Sequence, residues 1–215
     1  MTIAADVSVS ANGSHVAEAD IPSVDNYFGG VFVIQSNSGA RTVNGITITE
    51  TGTVDAASGL ENIKLYTESD TSSPYDCTSE SYDGTETQFG STDVDGFSAA
   101  NGTSTFSGAA SISNTSSLCV YVVADVTVDA VTNETVSFSI SSPTTDVVVG
   151  SASVAPGTPV SISDSTSLQG GLLTQIHYQW RNDDGSETDA TSATGGSEDT
   201  PLNNFSQSAP IRLRV

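Results

Sequence analysis

Apolar and polar residues alternate with a period of two along most of the chain. Ile3, Ala5, Val7 and Val9 stand between polar neighbours, and Val43, Gly45-Ile46 and Ile48 repeat the pattern among Thr and Asn. Shorter examples follow at Ile63 and Leu65, Thr105-Phe106, Ile112, Val126-Thr127-Val128, Val136–Ile140, Val147–Val149, Val160–Ile162 and Ile176–Trp180. A period of two places the apolar side chains on one face of a strand, whereas a helix would need a repeat near 3.6, which no window sustains. Val31-Phe32-Val33-Ile34 is a continuous apolar run instead, the pattern of a strand buried on both faces. Clusters of Gly, Asn, Asp, Ser and Pro separate these segments at roughly the 8–12-residue spacing of sandwiches. The pattern predicts an all-β fold, an antiparallel β-sandwich of immunoglobulin-like or jelly-roll-like type with extra terminal strands.

Three regions are expected. Residues 1–25 read as an N-terminal strand segment that could be donated to a neighbour, residues 26–164 as the main β-sandwich, and residues 168–215 as a strand-rich C-terminal unit. The boundary is marked by Ser165-Thr166-Ser167-Leu168-Gln169-Gly170-Gly171, after which the only tryptophan, Trp180, and a long polar insert appear. The last region has too few apolar residues to fold alone.

Composition adds compartment and charge. With 26 acidic residues against 5 basic ones, the formal charge is −21 at pH 7. Nucleic acid and anionic membrane surfaces would be repelled, and no basic patch offsets this, so nucleic acid is excluded as a partner. No apolar run approaches the ~18 residues of a membrane span, so no membrane insertion is expected. Met1 is followed by neither a basic nor an apolar leader region, so an exported chain would be a mature form or a segment of a longer one.

The two cysteines, Cys77 and Cys119, are expected to form a disulfide. Turn-rich sequence precedes the first, and the second lies in the apolar strand Leu118–Val123. Neither belongs to a C-x-x-C pair, which argues against redox catalysis and zinc. The expected location is therefore the extracellular space or the cell surface.

From Tyr27-Phe28-Gly29-Gly30 onward, the stretches Asn44–Glu50, Gly59–Tyr66 and Glu86–Thr92 resemble a β-sandwich module of large, modular bacterial cell-surface proteins from uncultured small-genome lineages. The segment His177-Tyr178-Gln179-Trp180-Arg181-Asn182-Asp183-Asp184-Gly185-Ser186-Glu187 resembles another stretch common in such proteins. The resemblance implies a surface protein and implies no activity.

Catalysis is not expected. The histidines are His15, in a polar turn-like stretch, and His177, in a strand beside Tyr178 and Trp180, and there is no Gly-x-Ser-x-Gly elbow. No resident cofactor is expected, and calcium is the one candidate. Asp93-Val94-Asp95-Gly96 and Asn182-Asp183-Asp184-Gly185 place oxygen ligands beside a glycine, so Asp93, Asp95, Asp183 and Asp184 are candidate metal ligands. Both stretches equally have the sequence of ordinary hairpin turns.

The chain ends carry the main functional expectation. Ile3–Val9 and Ile211–Val215 are alternating strands with no evident partner in their own modules, and an unpaired strand recruits another chain. Insertion into a neighbour would use Ile3, Val7 and Val9 at one end and Ile211, Leu213 and Val215 at the other. Repeated head to tail, this would build an extracellular filament or surface layer from copies of the chain. The alternative is a spacer or ligand-binding module of a large adhesin, facing glycans, calcium or other surface proteins.

Overall fold

A computed structural model describes residues 4–170, 178–182, 191–196, 199–201 and 211–214. The chain divides into two compact units, Met1–Gly171 and Leu172–Val215. The first unit is an all-β sandwich. Its N-terminal strands are β1 (Val7–His15), β2 (Glu18–Ile21), β3 (Ser23–Tyr27), β4 (Gly29–Ser36) and β5 (Arg41–Glu50). The middle of the chain forms β6 (Leu60–Asp70), β7 (Thr87–Gln88), β8 (Thr103–Ile112) and β9 (Ser117–Val126). Shorter strands complete it: β10 (Thr135–Val136), β11 (Phe138–Ile140), β12 (Val147–Val148), β13 (Val154–Ala155), β14 (Val160–Ser161) and β15 (Thr166–Gly170). In the second unit β16 (Gln179–Asn182) pairs antiparallel with β17 (Ile211–Arg214).

One sheet has the order β13-β1-β4-β9-β6-β7, with β3 also on β9. The facing sheet has the order β12-β5-β11-β14, with β8 on the other side of β5. A third, three-stranded sheet, β10-β15-β2, includes a parallel pairing of β15 with β2. Residues 1–25, expected as a separate segment, thus supply strands to two of the sheets of the first unit, and Thr166–Gly170 belongs to that unit as well.

The alternation sorts side chains as a sandwich requires. On β4, Phe32 and Ile34 enter the core between the sheets, while Val31 and Val33 join a second cluster on the other side. On β9, Leu118, Val120, Val122 and Ala124 face the core, and Cys119 and Tyr121 face the second cluster. Registry keeps the two strands in step, with Phe32 opposite Val120 and Val33 opposite Cys119. The facing sheet contributes Val43, Ile46, Ile48, Phe106, Phe138 and Ile140. The inward parity changes between Val43 and Ile46, at a shift in register with β8. Phe138 meets the ring of Phe28 edge-on at 5.4 Å and stacks on that of Phe97 at 5.9 Å. Such geometries add to the free energy of burial.

His15 joins these layers. It is buried at the end of β1, not exposed in a turn. Nε2 accepts the Phe138 backbone N–H at 3.1 Å, so Nδ1 carries the hydrogen and donates it to the Phe28 carbonyl at 3.0 Å. The neutral ring is thereby required, because a second ring hydrogen would face the Phe138 N–H. Burial also pushes the His15 pKa down from 6.5, outweighing the Phe28 carbonyl and Asp164, which favour the cation. The unfolded chain therefore binds more protons than the folded one just below pH 6.5. This contribution to stability is present above that pH and is lost as pH falls through the lowered folded value. We expect urea unfolding to show a loss of stability below pH 6.5 that His15→Gln flattens. Parallel pH slopes for the two proteins would refute the assignment.

Candidate functional site

Cys77 and Cys119 are bonded, with Cα atoms 5.7 Å apart. The bond ties the loop after β6 to β9, at the centre of its sheet. Asp70, the last residue of β6, holds the same loop with one buried carboxylate. It accepts the backbone N–H of Ser72 at 2.7 Å and of Cys77 at 2.9 Å, and the hydroxyl of Ser79 at 3.1 Å. Asn12, on β1, donates its side-chain amide to the Asp76 carbonyl, and Asp76 in turn accepts from Thr78. Tyr75 and Cys77 both have positive φ, near 63° and 61°, so the loop is held in a backbone shape that side chains resist.

This loop carries Tyr82 onto the outer face of the sheet, where it meets three more tyrosines. Tyr82 lies 4.8 Å from Tyr27, 5.5 Å from Tyr66 and 5.7 Å from Tyr121, measured between ring centres. Tyr66 and Tyr121 are paired residues of β6 and β9, and Tyr27 ends β3. Two hydroxyls are committed: Tyr27 donates to the Gly30 carbonyl at 2.7 Å, and Tyr121 donates to Glu68 at 2.5 Å. Beside the rings opens a cleft of about 370 Å³, walled by Tyr27, Tyr82 and Tyr121 and faced by Asn12, Thr78 and Glu80.

The electrostatics of the cleft are one-sided. Burial, with Glu86 second, raises the Tyr27 pKa to about 12. Tyr121 is raised by burial, then by its bond to Glu68. Burial also raises Glu68, against its bond from Tyr121, and the neighbouring Glu80, Glu86 and Asp83 push it further the same way. Lys64, at the margin of this group, is ion-paired with Asp25.

The other expected site residues fall elsewhere. Val7 and Val9 are buried in the chain's own core: β1 pairs antiparallel with β4 and in parallel with β13. The N-terminal strand therefore has partners on both sides within its own sandwich, because its apolar face completes that core. Ile211 and Leu213 lie on β17, opposite Asn182 and Trp180 of β16, so that strand too has a partner. Ile3, Val215, Asp183, Asp184 and His177 lie outside the described residues. Asp93 bridges to Ile63 through both backbone groups, and its carboxylate accepts the Ser104 hydroxyl at 2.6 Å, while Asp95 is exposed. Among the described residues no three or more His, Cys, Asp or Glu side chains gather as a metal site would require.

The tyrosine cleft was not foreseen from the sequence. Its one cue is that Tyr121 lies two residues after Cys119 and Tyr82 five after Cys77, so closing the disulfide brings both rings to one place.

No family model matches the chain, and no match was found among curated proteins or solved structures. The likeness to modular surface proteins rests on the sequence stretches alone.

Removing the Asp70 carboxylate should loosen the loop, since the buried Cys77 N–H loses its acceptor. We expect Asp70→Ala to cost about 2 kcal/mol in urea unfolding, with faster amide exchange across residues 72–79. Unchanged exchange there would show that the disulfide alone holds the loop.

Proposed function

We propose that the chain is a self-contained structural module of an extracellular surface protein, serving as a spacer or as a ligand-presenting unit of a large adhesin. The observation that carries this reading is the seating of β1. β1 pairs with β4 and β13 of its own chain and buries Val7 and Val9 in its own core, so lending it to a neighbour would first undo those contacts. The disulfide fits an oxidising compartment, and the formal charge of −21 keeps such a surface dispersed. Among the described residues no helix is long and apolar enough to cross a membrane.

A second reading, a filament or surface-layer subunit, draws on a different observation. β8 is ten residues long and among the described residues pairs with β5 alone, and residues 96–124, which contain it, include no charged side chain. Open edges are commonly guarded by charge or proline, and β8 has neither. Side chains of the Phe89–Asp93 segment lie against part of it: the Phe89 ring packs on Gly108 and Asp93 accepts from Ser104. Exchange of β1 between copies would reproduce its pairing with β4 in a neighbour, at the cost of first withdrawing Val7 and Val9 from their own core.

Light scattering and negative-stain microscopy of concentrated protein separate the two. We expect a monomer and single particles. Fibres that disappear when residues 1–12 are deleted would replace the first reading with strand exchange. Fibres that disappear with Ser107→Lys, on an intact β1, would replace it with edge pairing through β8.

A further inference from the structure

We propose that the tyrosine cleft beside the disulfide is a binding site for a quaternary ammonium group. Its volume, about 370 Å³, is within the range of small-ligand sites. Tyr27, Tyr82 and Tyr121 line it together with Glu80 and a polar remainder that includes Asn12 and Thr78, and the hydroxyl hydrogens of Tyr27 and Tyr121 are already given to Gly30 and Glu68. Three aromatic rings beside a carboxylate suit a cation that needs no hydrogen bonds. A primary ammonium carries three donors, each of which needs an acceptor once it leaves water. A trimethylammonium group carries none, and is held by the negative faces of aromatic rings and by nearby negative charge.

That charge is present. Glu80 faces the cleft directly, and Glu68, Glu86 and Asp83 lie close enough to act on the tyrosines or on one another. A neutral ligand of the same shape would gain the apolar contact without this attraction. The rings are also held in place before any ligand arrives. Tyr121 is fixed on the central strand, Tyr82 by the disulfide-tied loop, and Tyr27 by its bond to Gly30. Binding therefore costs little ordering of side chains.

This inference deepens the reading of the chain as a ligand-presenting module, yet its test is independent of assembly, because it is made on monomeric protein. Choline is titrated into the ¹H–¹³C-labelled chain, with 3,3-dimethyl-1-butanol as its neutral isostere. We expect saturable shifts of the Tyr27, Tyr82 and Tyr121 ring signals with choline, and at least tenfold weaker binding of the alcohol. Glu80→Gln should weaken choline about threefold and leave the alcohol unchanged. Tyr82→Ala should weaken it at least fivefold, and Tyr75→Ala, outside the lining, should not. Equal binding of choline and the alcohol, or shifts away from the cleft, would overturn the proposal. So would the absence of saturation in the native chain. Should Tyr82→Ala fail to fold, Glu80→Gln and the isostere comparison decide alone. An oligomeric chain that binds choline would overturn the monomeric-module reading and leave the site standing.

Discussion

The fold depends on burying one strand on both of its faces. β9 runs through the middle of its sheet with Leu118, Val120, Val122 and Ala124 on one side and Cys119 and Tyr121 on the other, all inaccessible to solvent. A sandwich ordinarily covers one face of each sheet and leaves the other to water. Here the inner face is covered by the opposing sheet, and the outer face needs a second cover that the strands do not provide. The loop after β6 supplies it, folded back and pinned at Cys77, Asp70 and Asn12. A 42-residue separation between the cysteines makes this clasp one of long range, with a chain-entropy contribution of about 4 kcal/mol. Tyr82 reaches the strand-borne Tyr27, Tyr66 and Tyr121 because this cover is in place.

How much of this was legible in the sequence follows from which contacts are local. The period of two identified strands because each strand writes its own inner face, and Val31–Ile34 announced its two-sided burial in the same way. The disulfide was legible because there are only two cysteines to pair. The seat of β1 was not, since Ile3–Val9 alternates in the same way whether its partner is β4 of the same chain or a groove in another. His15 reads as polar turn sequence between Ser14 and Val16, and only the folded chain supplies the Phe28 carbonyl and Phe138 N–H that let it be buried. The tyrosine cluster draws residues 27, 66, 82 and 121 together from four segments, a distance in sequence that no periodicity spans.

Charge and topology act on different parts of the molecule. The acidic residues lie mainly in loops and on solvent faces, while residues 96–124, covering β8 and nearly all of β9, are wholly uncharged. Self-repulsion from a formal −21 thus falls largely outside these two strands, which lie in different sheets. Arg41 pairs with Asp6 just before β1, and Lys64 of β6 pairs with Asp25 on β3. Both are partly exposed and contribute little to stability, though each joins an N-terminal residue to the body of the sandwich.

The outer cover has a consequence for how such a chain can be made. Before Cys77 meets Cys119, the loop is tethered by Asp70, by hydrogen bonds such as that from Asn12 and by the packing of Tyr82, none of them covalent, and the apolar strip of Val31, Val33 and Tyr121 beneath it is less firmly covered. A newly synthesised chain in a reducing environment would carry that strip within reach of other chains and of chaperones that bind exposed hydrophobic surface. Oxidation would close it. The bond would then work as a maturation mark as well as a brace: the reduced chain leaves that strip within reach, and the oxidised one keeps Val31, Val33 and Tyr121 buried.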